Sequence, residues 1–201
     1  FLSPYLNFPF FTKETLRSSA LQFNLPESTF NSLIEKALRK GEIIHLKRSH
    51  YVTRTFFDAH RTDQSYLFFL ANTLLKPSYV SLEAALQYYG FFAEAVNYTI
   101  TSITAKLPRQ FRNRIGVYSY RSISETLFTD FKTVRENFEF TIALRHKAVF
   151  DYLYYYTDRF TKNVHEDILE DLRIDVSELE VEEKRSLQEL IARFTSIEIS
   201  L

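Results

Sequence analysis

Residues 26 to 54 change hydrophobic period at a single glycine, and that change constrains the fold more than any other feature. Before Gly41, the residues Phe30, Leu33, Ile34, Ala37 and Leu38 recur at the i, i+3, i+4 spacing of one helix face. After it, "EIIHLK" and "HYVTR" have strand composition, with Arg48 and Ser49 alone between them. Gly41 supplies the left-handed residue that ends a helix. Two residues suffice for a tight hairpin, although Arg-Ser is poor chemistry for the favoured turn types. Upstream, the segment from Phe8 reads as an earlier helix that Thr12 can cap, and Pro26 suits the opening of the second.

Helix, turn, helix and basic hairpin is the order of a winged helix-turn-helix. On the second helix Ser28, Ser32, Glu35 and Arg39 project opposite the apolar stripe, with Asn31 and Lys36 on its shoulders. Such a helix suits a major groove: Ser28, Asn31 and Ser32 are candidates for base edges, and Lys36 and Arg39 for phosphates. The hairpin adds Lys47, Arg48, His50 and Arg54 at or near its tip, where a wing touches phosphate. The alternative is a winged-helix module used for protein contact, its charges merely solvated. Glu35 on the exposed face counts against DNA.

Composition sets the outer limits. With 201 residues the chain has room for one generous domain or two small ones, and 45% hydrophobic with 25% charged residues is an ordinary globular balance. No cysteine occurs, which rules out disulfides, thiolate metal sites and a cysteine nucleophile and fits a reducing compartment. No run reaches the roughly 18 apolar residues of a membrane span, and no signal peptide is visible. Methionine is absent and the chain opens at Phe1, so we expect the native start not to be included. The zero net charge hides a gradient. Residues 1 to 124 hold 15 Lys and Arg against 8 Asp and Glu, whereas residues 166 to 201 hold 4 against 11. A basic front with an acidic tail hints at a nucleic-acid-facing end, although solvated charged helices give the same pattern.

Farther along, "KPSYVSLEAALQYYGFF" reads as an extended entry and a short helix capped by Ser81 and ended by Gly90. The segments "YTITSITAK" and "GVYSYRSI" alternate like strands. Between them "KLPRQFRNR" carries Lys106, Arg109, Arg112 and Arg114 without a carboxylate, either a second phosphate contact or a solvated hairpin end. Residues 142 to 156 read as a helix whose tyrosines pack the core and its rim, and acidic helices follow from His165. Glu166, Asp167, Glu170 and Asp171 form a cluster able to hold Mg²⁺, or simply a solvated helix face.

Four of these blocks, "KPSYVSLEAALQYYG", "YTITSITAK", "GVYSYRSI" and "IALRHKAVFDYLY", resemble the signature blocks of AbiEi-type antitoxins, in that family's order and behind a winged helix. The resemblance spans roughly residues 8 to 200. It implies an antitoxin of a bacterial toxin–antitoxin module, some of which are linked to abortive phage infection. The winged helix would bind inverted repeats in double-stranded DNA upstream of the operon and repress it. The C-terminal domain would neutralise a nucleotidyltransferase-like toxin without a stable complex. The DNA-contacting helix falls on residues 26 to 40 and the wing on 43 to 54. Two departures stand out. Ser49 occupies the place of the family's wing glycine, and Arg145 and His146 precede Lys147 and Ala148 where relatives have Pro-Glu, so no role of that acid carries over.

Catalysis finds little footing. Gly41, Gly90 and Gly116 stand too far apart for a P-loop or dinucleotide fingerprint, and no G-x-S-x-G elbow or H-E-x-x-H pair occurs. We therefore expect an α+β chain with no catalytic residues, metal or cofactor. A winged helix-turn-helix over residues 1–54 precedes a linker at 55–65 and a mixed α/β domain at 66–201, its helices packed on a small sheet. The expected role is a cytoplasmic antitoxin and autorepressor acting away from membranes. The rivals are a module that docks a protein partner through its winged helix and acidic tail, and a solitary DNA-binding regulator without a toxin.

Overall fold

The computed structural model describes residues 2–21, 24–91 and 99–201. Among them eight α-helices and two sheets make an α+β fold. The front begins with β1 (Phe11–Thr12), α1 (Lys13–Leu21) and α2 (Glu27–Lys40). Residues 22 and 23, part of the expected turn between the helices, lie outside the described residues. Thr12 does cap α1: its hydroxyl accepts from the Thr15 amide at 3.1 Å, and the Thr15 hydroxyl accepts in return from the Thr12 amide at 2.8 Å. Gly41, at φ 71°, ends α2, and the next amide, Glu42, closes back on the Ala37 carbonyl at 2.9 Å. The hairpin follows as β2 (Ile43–Lys47) and β3 (His50–Thr53), with β1 completing a sheet in the order β1-β3-β2.

The Arg-Ser turn closes with a register shift between His45 and Lys47, and Ser49 takes the left-handed conformation at φ 63°. Left-handed backbone costs an L-residue about 1–2 kcal/mol, whereas glycine adopts it freely at the expense of extra unfolded-chain entropy. Ser49→Gly is therefore expected to stabilise the protein by about 0.5–1 kcal/mol in denaturant unfolding. An unchanged or lower midpoint would mean that the turn carries no such strain.

Strand alternation sends the hairpin's side chains into two cores. Ile43 and Tyr51 join Phe11, Leu16, Phe30, Ile34 and Ala37 in a small front core. Ile44, Leu46 and Val52 enter the main core with the rest of the chain. The hairpin is thus buried on both faces. Where the sequence suggests a linker at 55–65, the structure holds α3 (Arg54–His60), capped by the Thr53 hydroxyl, which accepts from the Phe56 amide at 3.2 Å. Phe56 packs edge-on against Tyr66 and Phe138, at ring distances of 5.5 and 6.1 Å. Asp63 then caps α4 (Gln64–Leu74) through the Ser65 and Tyr66 amides. This stretch is packed because its aromatics have the main core to enter.

The larger sheet comprises β4 (Ser78–Val80), β5 (Thr99–Thr104), β6 (Arg109–Arg112), β7 (Val117–Ser122), β8 (Phe131–Arg135) and β9 (Glu139–Ala143). Its order is β6-β7-β5-β4-β9-β8, parallel at β5/β7 and β4/β9 and antiparallel elsewhere. Helix α5 (Leu82–Tyr88) connects β4 to β5 and ends at Gly90, φ 79°. Tyr98, which the sequence pattern would add to β5, and Phe92 of the preceding block lie outside the described residues. The basic stretch after Lys106 is not a loop throughout, because Arg109–Arg112 forms the edge strand β6. Helix α6 (Arg145–Tyr156) starts later than the periodicity suggests, since Ile142 and Ala143 finish β9. Helices α7 (Ile168–Asp171) and α8 (Val181–Ile191) form the acidic end. Arg145 anchors that end, reaching Glu183 at 3.3 Å and the Glu178 carbonyl at 2.8 Å.

A buried polar cluster joins two of the quoted blocks. Lys147 and Asp151, one turn apart on α6, pair with both side chains fully buried. The other Asp151 oxygen accepts from Tyr79 at 3.0 Å and from Ser81 at 2.7 Å. Ser81 therefore does not cap α5 with its side chain, because Asp151 takes the hydroxyl. No helix of the described residues is long and apolar enough to cross a membrane.

Candidate nucleic-acid interface

The outward face of α2 is built by exclusion. Phe30, Ile34 and Ala37 bury one side of the helix, which leaves Ser28, Ser32, Glu35, Lys36 and Arg39 exposed on the other and Asn31 half-buried beside them. Neighbouring cations are engaged. Arg17 meets Glu27 at 3.0 Å, Lys13 reaches the same carboxylate at 3.9 Å, and Lys40 pairs with Glu42 at 3.5 Å. Lys36 and Arg39 form no ion pair among the described residues. A helix face with short hydroxyl and amide groups toward its start and two unneutralised cations toward its end is chemically equipped for an anionic polymer.

The hairpin residues divide. Arg48 stands exposed in the turn. Lys47 instead turns inward, where its ammonium donates to the Leu74 carbonyl at 2.8 Å. Burial lowers its pKa, and Arg109 and Lys76 lower it further. Its expected place among the phosphate ligands is therefore taken by an internal contact. His50 lies half-buried and parallel to the Phe10 ring at 5.9 Å, with its Nδ1 on the Arg48 carbonyl at 3.0 Å. Burial pushes its pKa below the ordinary histidine value, and the neighbouring Lys47 and His45 lower it further against the raising effect of the Arg48 carbonyl. Arg54 lies 3.7 Å from Asp58 on the first turn of α3, with half of each side chain exposed. A surface pair of this kind is weak enough to be exchanged for another anion.

A further group of cations stands at the end of β6 and just beyond it. Arg112, Asn113 and Arg114 share a cavity of about 270 Å³ with Leu38, Ile43, Ile44 and His45. That cavity joins the end of α2 and the strand β2 to the edge of the larger sheet, and among the described residues no carboxylate lines it. Asn113 fixes the junction: its side-chain amide donates to the Leu46 carbonyl at 2.9 Å, and its oxygen accepts from the Ile115 and Gly116 amides. Arg112 and Arg114 are exposed and form no ion pair among the described residues. The one signal for this in the sequence was four cations without an acid.

No group of three or more metal-ligating side chains occurs among the described residues. No protein-family model and no curated protein sequence matches this chain. The resemblance to AbiEi antitoxins accordingly rests on the quoted blocks alone.

Proposed function

We propose that this chain is a DNA-binding autorepressor and antitoxin of the AbiEi type. In this reading α1, α2 and the hairpin with β1 act as a winged helix, α2 entering a major groove and Arg48 lying on the adjacent backbone. The observation that carries the reading is the outward face of α2, where Lys36 and Arg39 have no ion-pair partner among the described residues while Lys13, Arg17 and Lys40 have one. Ser28, Asn31 and Ser32 on the same face are the base-reading candidates. Arg112 and Arg114 extend the basic surface beyond the helix, so the duplex would be held by both sheets. Antagonism of a nucleotidyltransferase-like toxin, without a stable complex, is the role that the resemblance assigns to the remainder of the chain.

A second reading, docking of a protein partner, is favoured by Glu35 on the α2 face and by the inward turn of Lys47 onto the Leu74 carbonyl. A gel-shift titration on the DNA upstream of the gene, at two salt concentrations and with unrelated duplex as competitor, separates the two. Specific binding that weakens steeply with salt is expected for the repressor. A shift no stronger than that of the unrelated duplex moves partner docking to first place. Co-expression with a neighbouring nucleotidyltransferase-like protein tests the antitoxin half, rescue of growth being the expected result.

A further inference from the structure

Away from α2, the start of α5, the end of β7 and the last turns of α6 enclose a pocket of about 310 Å³. Its lining residues are Leu82, Glu83, Arg121, Tyr152, Tyr155 and Tyr156. Two opposite charges line it, and no ion pair joins them. The Glu83 Oε2 atom is shielded from water and has no hydrogen-bond partner among the described residues. A shielded carboxylate oxygen without a donor is costly and calls for one. The Arg121 guanidinium lies 5.0 Å from the centre of the Tyr155 ring, and that ring is fixed by its hydroxyl, which donates to the Ser122 carbonyl. Tyr152 and Tyr156 stack at 6.2 Å with 16° between their planes and form the remaining wall.

The charges decide the class of ligand. A simple cation would satisfy Glu83 and be repelled by Arg121, and a simple anion would suffer the reverse. A molecule carrying both an ammonium and a carboxylate satisfies both at once. The volume lies at the small end of ligand clefts, which begin at about 300 Å³, and so fits a compact body. The tyrosine faces favour an apolar body and attract an ammonium approaching them. We propose that this pocket binds a free α-amino acid with an apolar side chain, its ammonium on Glu83, its carboxylate on Arg121 and its side chain against the tyrosines. This site shares no residue with the α2 surface and stands whether or not the chain binds DNA.

Calorimetric titration of the full chain with L-phenylalanine and L-leucine tests the proposal. L-phenylalaninamide, which lacks the carboxylate, and N-acetyl-L-phenylalanine, which lacks the ammonium, serve as controls. At least one of the free amino acids is expected to bind with one-to-one stoichiometry. The blocked forms are expected to bind at least about tenfold more weakly, as are the Glu83→Gln and Arg121→Gln variants with the free amino acid, because each loses a charge-assisted contact. Thermal melts verify that the variants fold. Absence of binding by both free amino acids at millimolar concentration overturns the proposal. So does binding of the blocked forms as tight as that of L-phenylalanine, a result that no folding defect can mimic.

Discussion

Lys147→Met is expected to lower the stability of this protein by about 3–5 kcal/mol at pH 7, because it strands a charge that the fold has taken out of water. Lys147 and Asp151 are both fully buried, and Asp151 is the shared acceptor for Lys147, Tyr79 and Ser81. A buried pair is not itself a large source of stability, since desolvation offsets much of the attraction. Breaking it is another matter. The variant leaves a carboxylate with two hydroxyl donors and no counter-charge. Replacing both partners, as in Lys147→Met/Asp151→Leu, removes the unpaired charge and should recover part of the loss; the Tyr79 and Ser81 hydroxyls, left without an acceptor, keep the recovery incomplete.

The pH dependence gives this prediction a second handle. Burial pushes the Asp151 carboxyl above the ordinary carboxylate range, while Lys147, Ser81 and Tyr79 pull it down. Lys147 is the strongest of those pulls, so its removal raises the carboxyl further. A carboxyl with a folded pKa above its unfolded value binds more protons in the folded state. Stability is then greatest in acid and is lost as pH rises from the unfolded value towards the folded one. The Lys147→Met variant should therefore lie closer to the wild type at pH 5 than at pH 8 in urea unfolding. Equal midpoints for the variant and the wild type at both pH values would remove the pair from any account of this core.

Signals confined to a few neighbouring residues were legible in the sequence, and those that depend on distant partners were not. Gly41 and Thr12 act through backbone groups within one helical turn, so their roles could be read directly from spacing. Ser81 has the type and position of a helix cap, yet its hydroxyl is taken by an aspartate 70 residues away. Lys47 occupies a strand position that suits a solvated cation, and only the packing of the hairpin against α4 reveals the Leu74 carbonyl as its partner. The contact of Asn113 with Leu46 spans 67 residues and carries the basic strand β6 towards α2. The junction of β9 and α6 holds neither Gly nor Pro, so no local punctuation marks where the strand stops and the helix starts. The candidate interface divides in the same way. The α2 residues stand where the helical period places them, whereas Lys47 is held by an internal carbonyl and Arg112 and Arg114 at the edge of the larger sheet stand exposed.

That division makes the DNA-binding prediction sharper than a simple list of basic residues. Each phosphate contact with duplex DNA contributes about 0.9 to the slope of log affinity against log salt. The Lys36→Ala/Arg39→Ala variant is expected to flatten the slope by about two and to weaken binding at low salt roughly tenfold to a hundredfold. Arg112→Ala/Arg114→Ala should flatten it similarly if the duplex spans both sheets. Lys47→Ala should leave the slope unchanged. Its cost appears instead in stability, about 1.5–3 kcal/mol for a charged hydrogen bond. Asn31→Ala and Ser32→Ala remove no charge and should reduce discrimination between the operator and unrelated duplex at constant slope. A slope that falls with Lys47→Ala but not with Lys36→Ala/Arg39→Ala would turn the molecule round. The hairpin would then have to leave its packed position to meet DNA, and the exposed face of α2 would be free for a protein partner.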